Sequence, residues 1–193
     1  MAETLYELWG KKNPDFEVRF EPLLRQYCDY GKGYNEFTES KAKILGAGYE
    51  LYIVAFFIGL YANKTKELNP DPIKRKGLGQ PIMYWGNIEN RKLRKAYPQL
   101  RYYMFIALLA RTDIDYIALD KGEITAQQAV AELKKKMEEY ANYGFDYIHE
   151  KLEEDSNWLS RNSSLLNTFL SFTLENEEKL SDDDTLDNKP EEI

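Results

Sequence analysis

Residues 51–62, LYIVAFFIGLYA, form twelve consecutive positions without a charged or amide side chain. A chain cannot leave such a run in water, and it can bury it in only two ways. A bilayer span needs roughly 20 apolar residues, whereas Glu50 and Lys64 bracket this run closely. The run therefore predicts a core helix apolar on every side. Ser40 is a good N-cap for a helix over 41–63, and Gly46, Gly48 and Gly59 would let a neighbouring helix approach closely.

Elsewhere the apolar spacing is helical, and no stretch alternates long enough to predict a half-buried strand. The expected fold is all-α: a single-domain multi-helix bundle over 1–174 with a long basic central loop, followed by a disordered acidic tail over 175–193. Residues 16–30 read as a first helix, with Pro22 confined to its first turn or breaking it. Pro98 suits the first turn of a helix over 98–111. Its apolar stretch 102–110 implies burial on most sides and packing against 51–62. Residues 113–120 suggest a short helix or turn ending at Gly122. Thr125 with Gln128 is a capping-box pattern, and Ala126, Val130, Leu133, Met137 and Tyr140 recur at helical spacing behind it. Gly144 is expected to interrupt or end this helix, and residues 163–174 form a last amphipathic segment.

Charge is distributed unevenly. The chain totals -7. Residues 64–101 hold ten cations (Lys64, Lys66, Lys74, Arg75, Lys76, Arg91, Lys92, Arg94, Lys95 and Arg101) against Glu67, Asp71 and Glu89, a net of +7, so the remainder sums to -14. Residues 175–193 hold nine acids against Lys179 and Lys189, and a segment so charged buries too little apolar surface to order itself. Pro70, Pro72, Gly77, Gly79, Pro81 and Gly86 break the helical pattern through the basic stretch, and a loop that long is commonly functional.

Cations interleaved with aromatic residues suit a polyanion with exposed bases, the cations meeting phosphates and the rings stacking. Lys74, Arg75, Lys76, Tyr84, Trp85, Arg91, Lys92, Arg94, Lys95 and Arg101 are accordingly the candidate nucleic-acid-binding residues, and the leading expectation is a non-enzymatic accessory protein within a larger nucleic-acid-handling system. A basic run is usually a solvated face or complements an acidic patch of the same protein, and the alternative function is a protein-interaction adaptor or homo-oligomer whose basic segment docks an acidic partner. The glycine spacing matches no phosphate-loop motif.

Other chemistry-bearing residues stand alone. His149, the only histidine, has Asp146 and Glu153 at helical pairing distance but no announced metal ligands. Cys28, the only cysteine, permits no internal disulfide and lacks a histidine partner nearby in sequence. Asp113, Asp115, Asp120 and Glu123 surround apolar residues where a calcium loop would need oxygens. No catalytic residue, metal or cofactor is expected. Residues 1–15 lack a basic then apolar leader pattern, so the expectation is a cytoplasmic protein without membrane contact.

Overall fold

The computed structural model describes residues 3–30, 45–87, 95–161 and 163–186, without the side chains of 179–186. It is mostly helical. At its centre α3 (Gly48–Ala62) crosses α6 (Ala126–Glu154), and this is the most extensive contact between any two elements. α3 is buried around nearly its whole circumference, including Leu51, Tyr52, Ala55, Phe56 and Ile58. α6 is amphipathic: Val130, Leu133, Met137, Tyr140, Ala141, Phe145 and Ile148 lie on its buried side. Both halves of the capping box start it, Gln128 N–H donating to Thr125 Oγ1 at 3.2 Å and Thr125 N–H to Gln128 Oε1 at 2.8 Å.

The expected break at Gly144 does not occur, and α6 runs on for ten more residues to Glu154. A Cβ at Gly144 would overlap the Ala55 carbonyl, and one at Gly59 would overlap the Tyr140 carbonyl. Ala55 thus faces Gly144 while Gly59 faces Tyr140, so the two helices run antiparallel with their backbones in contact. Gly144 tightens the crossing instead of ending the helix. Gly59 plays the close-approach role expected of it; Gly48 lies instead under the Tyr30 ring.

The N-terminal region departs from the expected helix over 16–30. It comprises α1 (Leu5–Gly10), β1 (Asp15–Glu17), a 3₁₀ turn (Val18–Phe20) and α2 (Glu21–Tyr27). Pro22 lacks an N–H and its ring obstructs the preceding turn, so it fits only near a helix start; α2 begins one residue before it. β1 pairs antiparallel with β2 (Arg75–Gly77), with Asp15 opposite Gly77, Phe16 opposite Lys76 and Glu17 opposite Arg75. Three-residue strands are too short to show an alternation, which is why the sequence did not announce them.

That pairing replaces the long central loop. Beyond β2 the chain continues alongside 10–14, through Leu78 N–H to the Pro14 carbonyl (2.9 Å) and Ile82 N–H to the Lys12 carbonyl (3.0 Å). Two 3₁₀ turns, Pro72–Lys74 and Ile82–Tyr84, flank the extended part, and Leu78, Ile82 and Trp85 enter the core. Residues 88–94 and the Ser40 cap lie outside the described residues.

α4 (Gln99–Ala110) starts after Pro98. Only Met104, Phe105 and Leu108 are buried along it, set against α6 and against Tyr6 and Trp9 of α1, whose rings lie 5.2 and 5.6 Å from Phe105. The expectation of burial on most sides, chiefly against α3, is therefore replaced by a helix with one apolar face outward. α5 (Tyr116–Asp120) is capped by Asp115 and closed by Gly122 at φ +74°. α7 (Ser164–Leu186) packs on α3 and carries helical backbone past Leu174, through residues 175–186 of the acidic stretch; 187–193 lie outside the described residues.

An alanine at a solvated helix position formerly glycine stabilises by about 1 kcal/mol. At Gly59 or Gly144 the sign should reverse, because two backbones must separate: each Gly→Ala variant is expected to lose roughly 1–3 kcal/mol in urea unfolding. Wild-type stability in both variants would show that the crossing is looser than described.

Candidate functional site

Of the ten candidate binding residues, seven lie among the described residues, and not all of these are on the surface. Lys74 is exposed at the end of its 3₁₀ turn. Arg75 donates to the Pro70 carbonyl at 3.4 Å. Lys76 Nζ lies 3.1 Å from Glu21 and 5.8 Å from the centre of the Tyr30 ring. Tyr84 is exposed at the far end of the extended segment. Trp85 is a correction to the binding set: it is 0% exposed, stacked on Tyr49 at 5.7 Å and 9°, with Nε1–H donating to the Gln80 carbonyl at 3.0 Å. Its faces are covered, so it is a core side chain rather than a platform for a base. Arg101 donates to the Met83 carbonyl and borders a cleft of about 320 Å³ lined also by Tyr6, Trp9, Lys11 and Met83. Lys95 is exposed. Arg91, Lys92 and Arg94 lie outside the described residues; on either side of them, Tyr97 N–H donates to the Gly86 carbonyl (2.8 Å).

The isolated groups take structural places. His149 Nδ1 is 3.7 Å from Glu153 on a solvated face, while Asp146 turns away to Arg19 and Lys66. Cys28 is buried. Asp115 accepts from the Ile117 and Ala118 N–H groups, both at 2.9 Å. Among the described residues no group of His, Cys, Asp and Glu could hold a metal ion, and no helix is long and apolar enough to cross a membrane.

Sequence reasoning missed a polar seam. Lys134, Glu138, Asn142 and Asp146 recur every four residues and so line one face of α6; Asp15, Glu17 and Arg19 recur every two. The two rows meet. Asp15 N–H donates to Glu138 at 2.6 Å, and Lys134 pairs with Glu138 at 2.6 Å and with Asp15 at 3.4 Å. Buried Asn142 donates to Glu17 (3.1 Å) and to the Glu67 carbonyl (3.0 Å), and Asn69 N–H also reaches Glu17 (2.8 Å). Arg19 bridges Glu17 and Asp146, and Lys66 joins Asp146.

Burial pushes the Glu17 carboxyl up, but Arg19, the Asn69 N–H and Asn142 outweigh it and hold it below the ordinary range. Asp146 behaves alike: burial raises it, and Arg19 and Lys66 bring it lower still. For Glu138 burial prevails over the Asp15 N–H and Lys134, so its carboxyl is raised. Apart from Asn142 Oδ1, which is buried without a hydrogen-bond partner, the members satisfy one another within the chain, which makes the seam a clamp holding β1 and residues 66–69 to α6.

Part of what the core leaves outside is apolar. Tyr102, Tyr103 and Ile106 of α4, with Tyr116 and Ile117 of α5, are 43–69% exposed. Tyr116 O–H donates to the Leu109 carbonyl at 3.2 Å, which joins the two helices into one patch. Lys95 and Arg101 stand at its N-terminal end. Contiguous exposed apolar surface of this kind marks interaction sites. A second stripe, Leu166, Leu170 and Leu174 on α7, is 53–60% exposed.

The seam's pH dependence follows from the signs. Glu17 and Asp146, being lowered, stabilise the fold above the ordinary carboxyl value of about 4 and lose that contribution as the pH falls. Glu138, being raised, contributes below about 4 and loses it as the pH rises. Asp146→Asn should therefore cost about 1–2 kcal/mol near neutrality, with the deficit shrinking toward pH ~3. Glu138→Gln should show the opposite trend, its deficit smallest near neutrality. Urea unfolding across this range checks both; parallel pH profiles for the two variants would refute the assignment.

Compared with protein-family models, with curated proteins and with solved structures, the chain matches none.

Proposed function

We propose that the protein is a cytoplasmic accessory protein that acts by docking a protein partner on the α4–α5 face, with the basic stretch before α4 receiving acidic groups of that partner. The exposed patch of Tyr102, Tyr103, Ile106, Tyr116 and Ile117 carries this reading. Tyrosine suits such a surface because it combines a large rigid apolar ring with a polar tip. Lys95 and Arg101, just before α4 and in its first turn, add positive charge at the N-terminal end of the patch, which steers an acidic partner toward it.

The nucleic-acid reading has less support. It relied on cations and rings side by side, yet Trp85 is covered, Lys76 is paired with Glu21, and Tyr84 lies at the opposite end of the extended segment from Lys74. Stacking on unpaired bases needs an open ring face. Tyr84, Tyr102 and Tyr103 retain one, so nucleic acid stands as the competing outcome of the test.

A photo-reactive residue in place of Tyr103, in cells making the full chain, should form adducts with protein, whereas the same residue in place of exposed Glu150 should not. Changing Tyr102 and Ile106 to serine in the Tyr103 probe should abolish the adduct at a cost of about 1 kcal/mol per site, chiefly the edge contact of the Tyr102 ring with Tyr6 at 6.1 Å, too little to unfold the chain. An adduct with nucleic acid, or none above the Glu150 control, would remove the docking reading.

A further inference from the structure

We propose that the occupant of the α4–α5 face is α7 of a second copy of this chain; the inference rests on the docking reading above and names its partner. Four observations on this one molecule carry it.

The first is matched shape. Leu166, Leu170 and Leu174 form a single stripe eight residues long, and Tyr102, Ile106 and Ala110 form another of the same length. At 1.5 Å per residue both extend about 12 Å, so three leucines meet three positions of α4, with Tyr103 and Ile117 widening the contact.

The second is matched charge. Just beyond Leu174 stand the acidic residues Glu175, Glu177 and Glu178; just before Tyr102 stand the cations Lys95 and Arg101. Laid antiparallel, α7 places its leucines on the tyrosines and its acidic end on the cations. The parallel arrangement would bring the acidic end toward Asp113, Asp115 and Asp120, so charge selects one direction as well as one partner.

The third is that a chain does not satisfy its own patch with this stripe. Phe169 of α7 packs 5.1 Å from Tyr61 of α3 and Phe172 packs 5.4 Å from Tyr147 of α6, while Asn176 donates to the Tyr61 carbonyl at 2.8 Å. With that side seated, Leu166, Leu170 and Leu174 face outward.

The fourth is area. A single helix-on-helix contact of this length falls short of the roughly 1,200–2,000 Å² of a stable complex. Formed reciprocally, each α7 covering the other copy's α4, the contact is doubled and the assembly closes with two-fold symmetry. The resulting dimer is modest in affinity, forms at tens of micromolar, and weakens with salt because its charged ends are exposed.

Sedimentation velocity on the full chain tests this. Wild type should dimerise at ~50 mM salt and dissociate substantially at ~500 mM. The triple variants Leu166→Ser/Leu170→Ser/Leu174→Ser and Tyr102→Ser/Tyr103→Ser/Ile106→Ser should each be monomeric and folded. Mixed together they should associate again, more weakly than wild type, since each supplies the face the other lacks. Glu175→Lys/Glu177→Lys, which touches no buried residue, should weaken the dimer at low salt and flatten its salt dependence. A monomeric wild type at hundreds of micromolar, a mixture that stays monomeric, or either triple variant dimerising like wild type would overturn the proposal. The photo-reactive residue at position 103 separates the two levels. An adduct mapping to residues 163–186 of another copy supports both; one with a different protein overturns the second-copy occupant and leaves the docking reading standing; no protein adduct overturns both.

Discussion

Backbone-to-backbone contact between α3 and α6 is the constraint on which the rest of the molecule depends. Side chains normally hold helix axes 8–10 Å apart, but Gly59 and Gly144 have nothing to interpose, and each lies against the carbonyl of the facing helix. α3, apolar on every side, is wrapped by the other elements: α6 along one side, α7 along another, and the aromatic groups of the N-terminal region closing it further. The Trp85–Tyr49 stack and the Tyr52–Phe145 edge contact at 5.7 Å both build on α3 side chains. Loosening the crossing would therefore disturb packing well beyond the two glycines.

The polar seam solves a second problem created by that arrangement. β1 is three residues long, and a two-stranded ladder of this size is marginal in water. It is held because Asp15, Glu17 and Arg19 find partners on α6 and in residues 66–69. Buried charges are tolerated only where they are paired and hydrogen-bonded. Here the pairing explains why Asn142 can be almost fully buried. The seam also accounts for much of the polarity along α6 that a search for catalytic groups would single out. Those side chains are largely engaged with one another.

Among the described residues, the exposed apolar surface includes an aromatic face on α4 and α5 beside Lys95 and Arg101, and a leucine stripe on α7 that runs up to Glu175, Glu177 and Glu178. The chain as a whole is acidic at -7, which discourages indiscriminate self-association. Opposite charge beside the two faces would favour one register of contact between copies that otherwise repel.

Much of the core helix framework was legible in the residues alone. The run 51–62 could only be interior, because twelve apolar residues have no other stable place outside a membrane. The capping box at Thr125 is local chemistry, so it survives any tertiary setting. The segment after Pro98 and the turn at Gly122 were legible for the same reason. Whatever depended on a distant partner was not. Gly144 reads as a helix breaker in isolation and becomes a packing contact only when Ala55 arrives opposite it. Trp85 reads as a stacking platform until Tyr49 and Tyr52 cover it. The apolar run 102–110 looks buried all round, yet the molecule has room for only one of its faces. Asp15, Glu17 and Arg19 align with Lys134, Glu138, Asn142 and Asp146 across more than a hundred residues of chain, and neither row has meaning without the other. Local sequence determined which segments coil and which side chains avoid water; tertiary structure alone decided which charges are spent inside the molecule and which are left facing out, because electrostatic pairing depends on distance in space and not on position along the chain.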